Sequence, residues 1–306
     1  MSVSSGSTGA SGTGGGAYIC RYCRLPSDAQ AVNCPNCGAP VDVSAVVSGS
    51  GWVEQPPARD MARIQFGRSR CQVAGTLVPS VDFALAADEG VYFSHHTLLW
   101  TGAGTNLEAW SKGSFFNRMY AGMPLVLMRA SGPGQVALSG DRPGEVVGLP
   151  IPPGRAFLVR EHAFLAASDA VGYTWQPAPV WLQVQDGDSS EYEYPLGQYV
   201  DVFVAEGDRP GLLLLHCPGN LFVRDLAPGQ SVLVQPGGLV YTDASVGYSL
   251  HLEYPASQGL SWRSYNYRTM WLRLAGPGRV AVRSVFERPE RYANIVASSG
   301  GTQQRW

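Results

Sequence analysis

Pro153-Gly154-Arg155-Ala156-Phe157-Leu158-Val159 recurs 75 positions later as Pro228-Gly229-Gln230-Ser231-Val232-Leu233-Val234. The same offset carries Val171-Gly172-Tyr173 onto Val246-Gly247-Tyr248. Two matched blocks in one gapless register mark a repeated unit. A second element, Gly132-Pro133-Gly134-Gln135-Val136, returns 144 positions on as Gly276-Pro277-Gly278-Arg279-Val280, with Cys217-Pro218-Gly219-Asn220-Leu221 as a weaker middle copy. A more diverged unit occupies residues 81–100, with Asp88-Glu89-Gly90 as its hairpin turn. The reading is therefore three copies of one β unit. In each, a Pro-Gly turn leads into a strand, a tight turn and a returning strand. Gln235-Pro236-Gly237-Gly238 suits that turn, because proline fixes φ and glycine tolerates positive φ. One unit alone buries too little area, and stacking supplies a shared core.

Outward from these blocks, residues 62–288 keep the same texture of short Val, Leu, Phe and Tyr runs between Pro-Gly punctuation. Helical periodicity is absent apart from a broken turn or two within 106–120, so the fold class expected is all-β. Residues 1–16 are almost wholly Ser, Gly, Thr and Ala and are expected to be disordered. Residues 42–61 hold Ser48-Gly49-Ser50-Gly51 and Pro56-Pro57 and read as a linker. Residues 289–306 are polar and read as a loose tail.

Between tail and linker, residues 17–41 carry Cys20-Arg21-Tyr22-Cys23, ten intervening residues, then Cys34-Pro35-Asn36-Cys37-Gly38. Two Cys-x-x-Cys pairs this close supply four thiolates to one tetrahedral zinc ion, a miniature zinc ribbon. The competing readings are two disulfides or a redox Cys-x-x-Cys. A redox motif needs no second copy nearby, and no signal peptide points to an oxidising compartment. A closed four-cysteine site leaves no position for substrate, so Zn2+ here is structural. Cys71 and Cys217 lie far apart in apolar settings and read as buried free thiols.

The chain has 306 residues, 45% of them hydrophobic, and a formal charge of −2. That balance argues against bulk electrostatic binding of nucleic acid, which needs a basic stripe. Lys112 is the only lysine, a bias that points to a GC-rich genome rather than to an arginine-specific function. No apolar run approaches the roughly 20 residues of a membrane span, and the start of the chain lacks a signal-peptide pattern, so a cytoplasmic location is expected.

Catalytic motifs are missing. The helix-borne His-Glu-x-x-His, the nucleophile elbow and the phosphate-binding loop have no match in the sequence. His95 and His96 are adjacent and would point to opposite faces of a strand. His251 and Glu253 would share a face, which allows a ligand pair but more commonly means exposed strand polarity. Glu191-Tyr192-Glu193-Tyr194 puts both carboxylates on one face, the pattern of a solvated edge. Trp262, Arg263, Tyr265, Tyr267, Arg268 and Trp271 form an aromatic-basic stretch that suits a subunit interface or core, with base stacking as the alternative.

The run 150–167, the Gly-Pro-Gly-x-Val elements and the Leu-x-Pro-Gly-x-x-Val-Leu-Val pattern at 226–234 resemble the altered inheritance of mitochondria 24 family, now labelled mitochondrial biogenesis. The resemblance covers about residues 62–288. It implies β-sandwich units similar to the tryptophan RNA-binding attenuation protein, arranged in pseudo-symmetric rings as homotrimers. It implies a link to membrane organisation and supplies no catalytic residues. The ribbon lies outside the family pattern. Together these features lead us to expect a non-enzymatic oligomeric scaffold, associated with a membrane surface, that recruits a protein partner through the zinc ribbon. The alternative is a nucleic-acid-associated regulatory protein using the ribbon and residues 262–271.

Overall fold

A computed structural model describes residues 17–19, 26–28, 33, 50–55, 57–110, 127–140, 142–186, 188–253, 268–286, 291–292, 295–299 and 302–303. The chain divides into two compact units, Met1–Val53 and Glu54–Trp306. In the first, β1 (Ala17–Ile19) pairs antiparallel with β2 (Pro26–Asp28). Cys20, Cys23, Cys34 and Cys37 lie outside the described residues, as does the 1–16 segment.

Among the described residues there is no α-helix, and the all-β class holds. After β3 (Val53–Glu54), β4 (Arg63–Phe66) and β5 (Ser69–Ala74), three groups of strands follow. The first comprises β6 (Ser80–Leu85), β7 (Gly90–Ser94), β8 (Leu98–Thr101), β9 (Asn106–Ala109), β10 (Leu127–Ser131) and β11 (Gly134–Ser139). The second comprises β12 (Glu145–Ile151), β13 (Ala156–Arg160), β14 (Phe164–Ser168), β15 (Val171–Pro177), β18 (Tyr199–Ala205) and β19 (Gly211–Cys217). A hairpin, β16 (Leu182–Asp186) with β17 (Ser189–Glu193), is inserted between β15 and β18. The third group comprises β20 (Leu221–Leu226), β21 (Ser231–Val234), β22 (Leu239–Asp243), β23 (Gly247–Glu253), β24 (Arg268–Ala275) and β25 (Gly278–Arg283).

Pairing follows one order in every group. The sixth strand lies between the first and third, and the fifth lies between the second and fourth. These two halves belong to different sheets, so the turns after the first and second strands cross between sheets. The expected hairpins are thereby corrected. β6 and β7, on either side of Asp88-Glu89-Gly90, are not paired, and neither are β21 and β22, on either side of Pro236-Gly237-Gly238. A Pro-Gly signal fixes where a chain reverses, not which sheet receives the next strand.

Consecutive groups then share sheets. The third strand of the second group, β14, pairs with the second strand of the first, β7. The third strand of the third group, β22, pairs with β13 in the same way. The result is a central sheet, β12-β19-β14-β7-β10-β9, with an apolar core on each face. Strand β19 shows why its sequence is an unbroken apolar run. Leu213, Leu215 and Cys217 enter one core, and Leu212 and Leu214 enter the other. Both faces of the strand are covered, so alternation disappears. Each fully buried leucine contributes about 1.5–3 kcal/mol.

Two turns between the fifth and sixth strands carry glycines that nothing else replaces. The Gly132 amide donates to the Glu89 carbonyl and the Gly276 amide to the Gln230 carbonyl, each at 2.9 Å. A Cβ on Gly276 would lie 2.6 Å from the Ala227 carbonyl oxygen and 2.7 Å from that of Leu226. A Cβ on Gly132 would collide with the Ala86 carbonyl. Backbone cannot yield as a flexible side chain does, so Gly276→Val should destabilise the domain by about 3 kcal/mol, read as a lower denaturation midpoint. The weaker middle copy, Cys217-Pro218-Gly219-Asn220-Leu221, does not occupy this place. It joins β19 to β20, and the connection between the fifth and sixth strands of the second group is residues 206–210.

The domain also takes in segments expected to be linker and tail. The amides of Gln55, Ala58 and Met61 donate to the carbonyls of Leu221, Val146 and Val73 at 2.7–2.8 Å. Backbone pairing at strand edges overrides the flexible composition there. At the other end, β26 (Arg291–Tyr292) pairs with β24, β27 (Ile295–Ser298) with β16, and β28 (Thr302–Gln303) with β23.

Candidate functional site: two open sheet edges

The chemistry-bearing residues singled out in the sequence do not converge. Among the described residues no group of three or more His, Cys, Asp and Glu is placed to hold a metal ion. His95 and His96 are exposed and sit on a single 3-10 turn between β7 and β8, not on a strand. His251 is buried on β23, opposite Trp271 of β24 on one side and Thr302 of β28 on the other, with Glu253 at the end of the strand. Glu191 and Tyr192 are exposed on β17, as a solvated strand requires. Arg268 and Trp271 belong to β24, while Trp262, Arg263, Tyr265 and Tyr267 lie outside the described residues. Cys71 and Cys217 are buried free thiols, and burial pushes each up to about 12. Such thiols are poor nucleophiles.

Ion pairs tie neighbouring groups together inside the chain. Arg129 of β10 grips Asp169 of the second group with Nε on Oδ1 at 2.9 Å and Nη2 on Oδ2 at 2.6 Å. The Asp169 hydrogen bonds hold the Arg129 guanidinium further toward its charged form. Arg155 of the second group reaches Asp243 of the third at 2.8 Å. The two-pronged Arg129 geometry fixes orientation as well as charge.

The informative positions are the two strands that the pairing order leaves over. At each internal junction a second strand meets the third strand of the next group. Among the described residues, β8, the third strand of the first group, and β21, the second strand of the third group, each have a partner on one side only. Matching positions follow from register. Thr101 and Trp100 face Val136 and Ala137, as Thr242 and Tyr241 face Val280 and Ala281 and as Ala167 and Ala166 face Leu213 and Leu214. All three pairings show an irregularity at the same step. Likewise Leu158, opposite Thr242, and Tyr92, opposite Ala167, occupy the place that Leu233 holds on β21.

Burial reverses at these places. Trp100 is 42% exposed, whereas Tyr241 is 1% and Ala166 0% exposed. Leu99 is 58% exposed against 2% for Val240 and 0% for Leu165. Leu233 is 41% exposed against 8% for Leu158 and 0% for Tyr92. At these three matched places the large apolar side chain stands in solvent where the next group is missing and is buried where a neighbouring group follows. A strand edge with apolar side chains and free backbone donors and acceptors is a template for another strand. Sequence reading missed these residues, because Leu98-Leu99-Trp100 looks the same as a core strand.

Comparison with known proteins agrees with this architecture. The X-ray crystal structure of a Streptococcus pyogenes protein superposes with a TM-score of 0.51 at 18% identity, over 72% of this chain and 94% of that one. At that identity the likeness concerns the fold. No curated protein matches the chain. The family model described as Mitochondrial biogenesis AIM24 matches residues 71–285, which takes in all three strand groups. The chain therefore belongs to the Mitochondrial biogenesis AIM24 family.

Proposed function

We propose that this protein is a non-enzymatic scaffold whose copies join edge to edge, β21 of one copy pairing with β8 of the next, and close into a homotrimer. The three strand groups are read as three copies of one unit, similar to those of the tryptophan RNA-binding attenuation protein. Nine such units then make the ring. The observation that carries this reading is the reversal of burial at Leu99, Trp100 and Leu233. A closed ring protects both edges at once, which an open dimer does not.

Within this reading Cys20, Cys23, Cys34 and Cys37 hold one structural Zn2+ in a ribbon that recruits a protein partner. Three ribbons on one ring strengthen apparent affinity by about 10²–10⁴ without a new contact. A cytoplasmic location at a membrane surface is part of the proposal, the membrane link resting on family membership. The described residues contain no helix long and apolar enough to cross a bilayer.

The test separates the assembly from the recruitment. A chain lacking residues 1–53, the first compact unit, should keep its size by light scattering and lose its partner in a pull-down from native lysate. Partner capture undiminished by the deletion would remove the ribbon from the proposal. A monomer at micromolar concentration would remove the ring.

A further inference from the structure

The ring proposed above, on which this inference rests, sets β21 against β8 of a neighbouring copy. Backbone bonds at the internal junctions fix the matching positions around that contact. The Asp169 amide donates to the Gly90 carbonyl at 3.1 Å, and the Ala244 amide donates to the Ala156 carbonyl at 3.0 Å. Gly90, Ala156 and Ser231 stand two residues before Tyr92, Leu158 and Leu233, which share one place. Asp169 and Ala244 stand two residues after Ala167 and Thr242, as Ala103 stands after Thr101. The junction between copies therefore brings Ala103 of the neighbouring copy to Ser231.

One arginine recurs there without its acids. Arg129 stands opposite Tyr92, and Arg273 stands opposite Leu233. Each comes three residues before the glycine of a Gly-Pro pair. Arg129 meets two carboxylates, Glu108 opposite it on β9 at 2.8 Å and Asp169 of the next group at 2.9 and 2.6 Å. Around Arg273 both are gone. Ser249 stands opposite it on β23, and Ala103 of the neighbouring copy takes the place of Asp169. Among the described residues the Arg273 side chain makes one hydrogen bond, from Nε to Ser231 Oγ at 3.3 Å, and no ion pair. The two edges bring no substitute, since residues 98–106 and 229–235 carry no charged side chain.

In the single chain Arg273 is exposed and water serves its charge. Closing the junction covers the neighbouring Leu233 and strips that water, and a guanidinium without a counter-charge opposes closure. Ser231 shows where a counter-ion fits. A Cβ on Gly90, at the matching place, would lie 2.8 Å from Asp169 Oδ2, so the serine side chain reaches toward the missing carboxylate's position. Its hydroxyl accepts from Arg273 Nε and keeps its own proton to donate.

We propose that each junction between copies binds one small oxyanion of the phosphate class, held by the Arg273 Nη groups and the Ser231 hydroxyl beside Ala103 of the neighbouring copy. The planar guanidinium fork matches two oxygens of such an ion, which chloride does not offer. The ion stands in for Glu108 and Asp169, so ring closure depends on its supply.

The test is sedimentation of the full chain in sodium phosphate and in sodium chloride of equal ionic strength. Association into the trimer should be at least about tenfold tighter in phosphate, because the ion binds the closed junction and not the separate chains. Arg273→Gln should associate equally in both salts. Ser249→Glu, which restores the carboxylate that Glu108 gives Arg129, should associate in chloride as tightly as the unaltered chain does in phosphate. A trimer equally tight in both salts, or a phosphate effect that survives Arg273→Gln or Ser249→Glu undiminished, overturns the anion site and leaves the ring standing. A monomer in both salts overturns the ring and the site together.

Discussion

A chain carrying Leu233→Asp will run as a folded monomer that still unfolds cooperatively. Leu233 is 41% exposed in the single chain, so the substitution costs the isolated fold little. In the ring the same position is covered by the next copy, as Leu158 and Tyr92 are covered at the internal junctions. Burying an unpaired carboxylate there costs several kcal/mol per junction. Each 1.4 kcal/mol is about a factor of ten in the association constant, so dissociation should shift by at least a hundredfold. Trp100→Asp should act in the same direction from the other edge. Sedimentation of both variants checks this. A trimer that survives either change would place the contact elsewhere.

Zinc removal should have an equally large but strictly local effect. Elemental analysis should find one zinc per chain, held by Cys20, Cys23, Cys34 and Cys37 with Zn–S near ~2.3 Å. Metal binding contributes about 10–16 kcal/mol to the folding of such small modules, which have little core of their own. Chelation should therefore unfold the N-terminal unit and leave the midpoint of Glu54–Trp306 unchanged, since the two are separate compact units. Cys34→Ser should reproduce the chelated state. Native disulfides among these four cysteines, or a zinc-free protein, would contradict the assignment.

How far the sequence could be read depended on the range of the interaction. The all-β class was legible, because Pro-Gly punctuation and short apolar runs are local signals. So were strand positions: β13 and β21 start 75 residues apart, as do β14 and β22. The place of Gly132-Pro133 and Gly276-Pro277 between fifth and sixth strands was also written in the residues. The sheet that receives each strand was not legible, since Gln235-Pro236-Gly237-Gly238 looks the same whether the chain returns to its own sheet or crosses to another. The connection at 206–210 lacks the Gly-Pro-Gly order, whereas Cys217-Pro218-Gly219 resembles it while lying at a different place in the group. The C-terminal strands escaped notice because Ile295-Val296 is a short apolar run whose partner, β16, lies more than a hundred residues away. The open edges were invisible for a related reason. Trp100 and Tyr241 are alike as residues and differ only in whether a neighbouring group follows.

Edge-to-edge closure is tested most directly by covalent trapping. The internal register, Leu158 opposite Thr242 and Val159 opposite Tyr241, carries over to Leu233 opposite Thr101 and Val234 opposite Trp100 of the neighbouring copy. A chain with Thr101→Cys and Leu233→Cys, oxidised under native conditions, should give a closed trimer as its largest covalent product on a non-reducing gel. Either single variant should give none. A monomer with an internal cross-link, an open ladder of larger species, or no product in a soluble folded chain would contradict the ring.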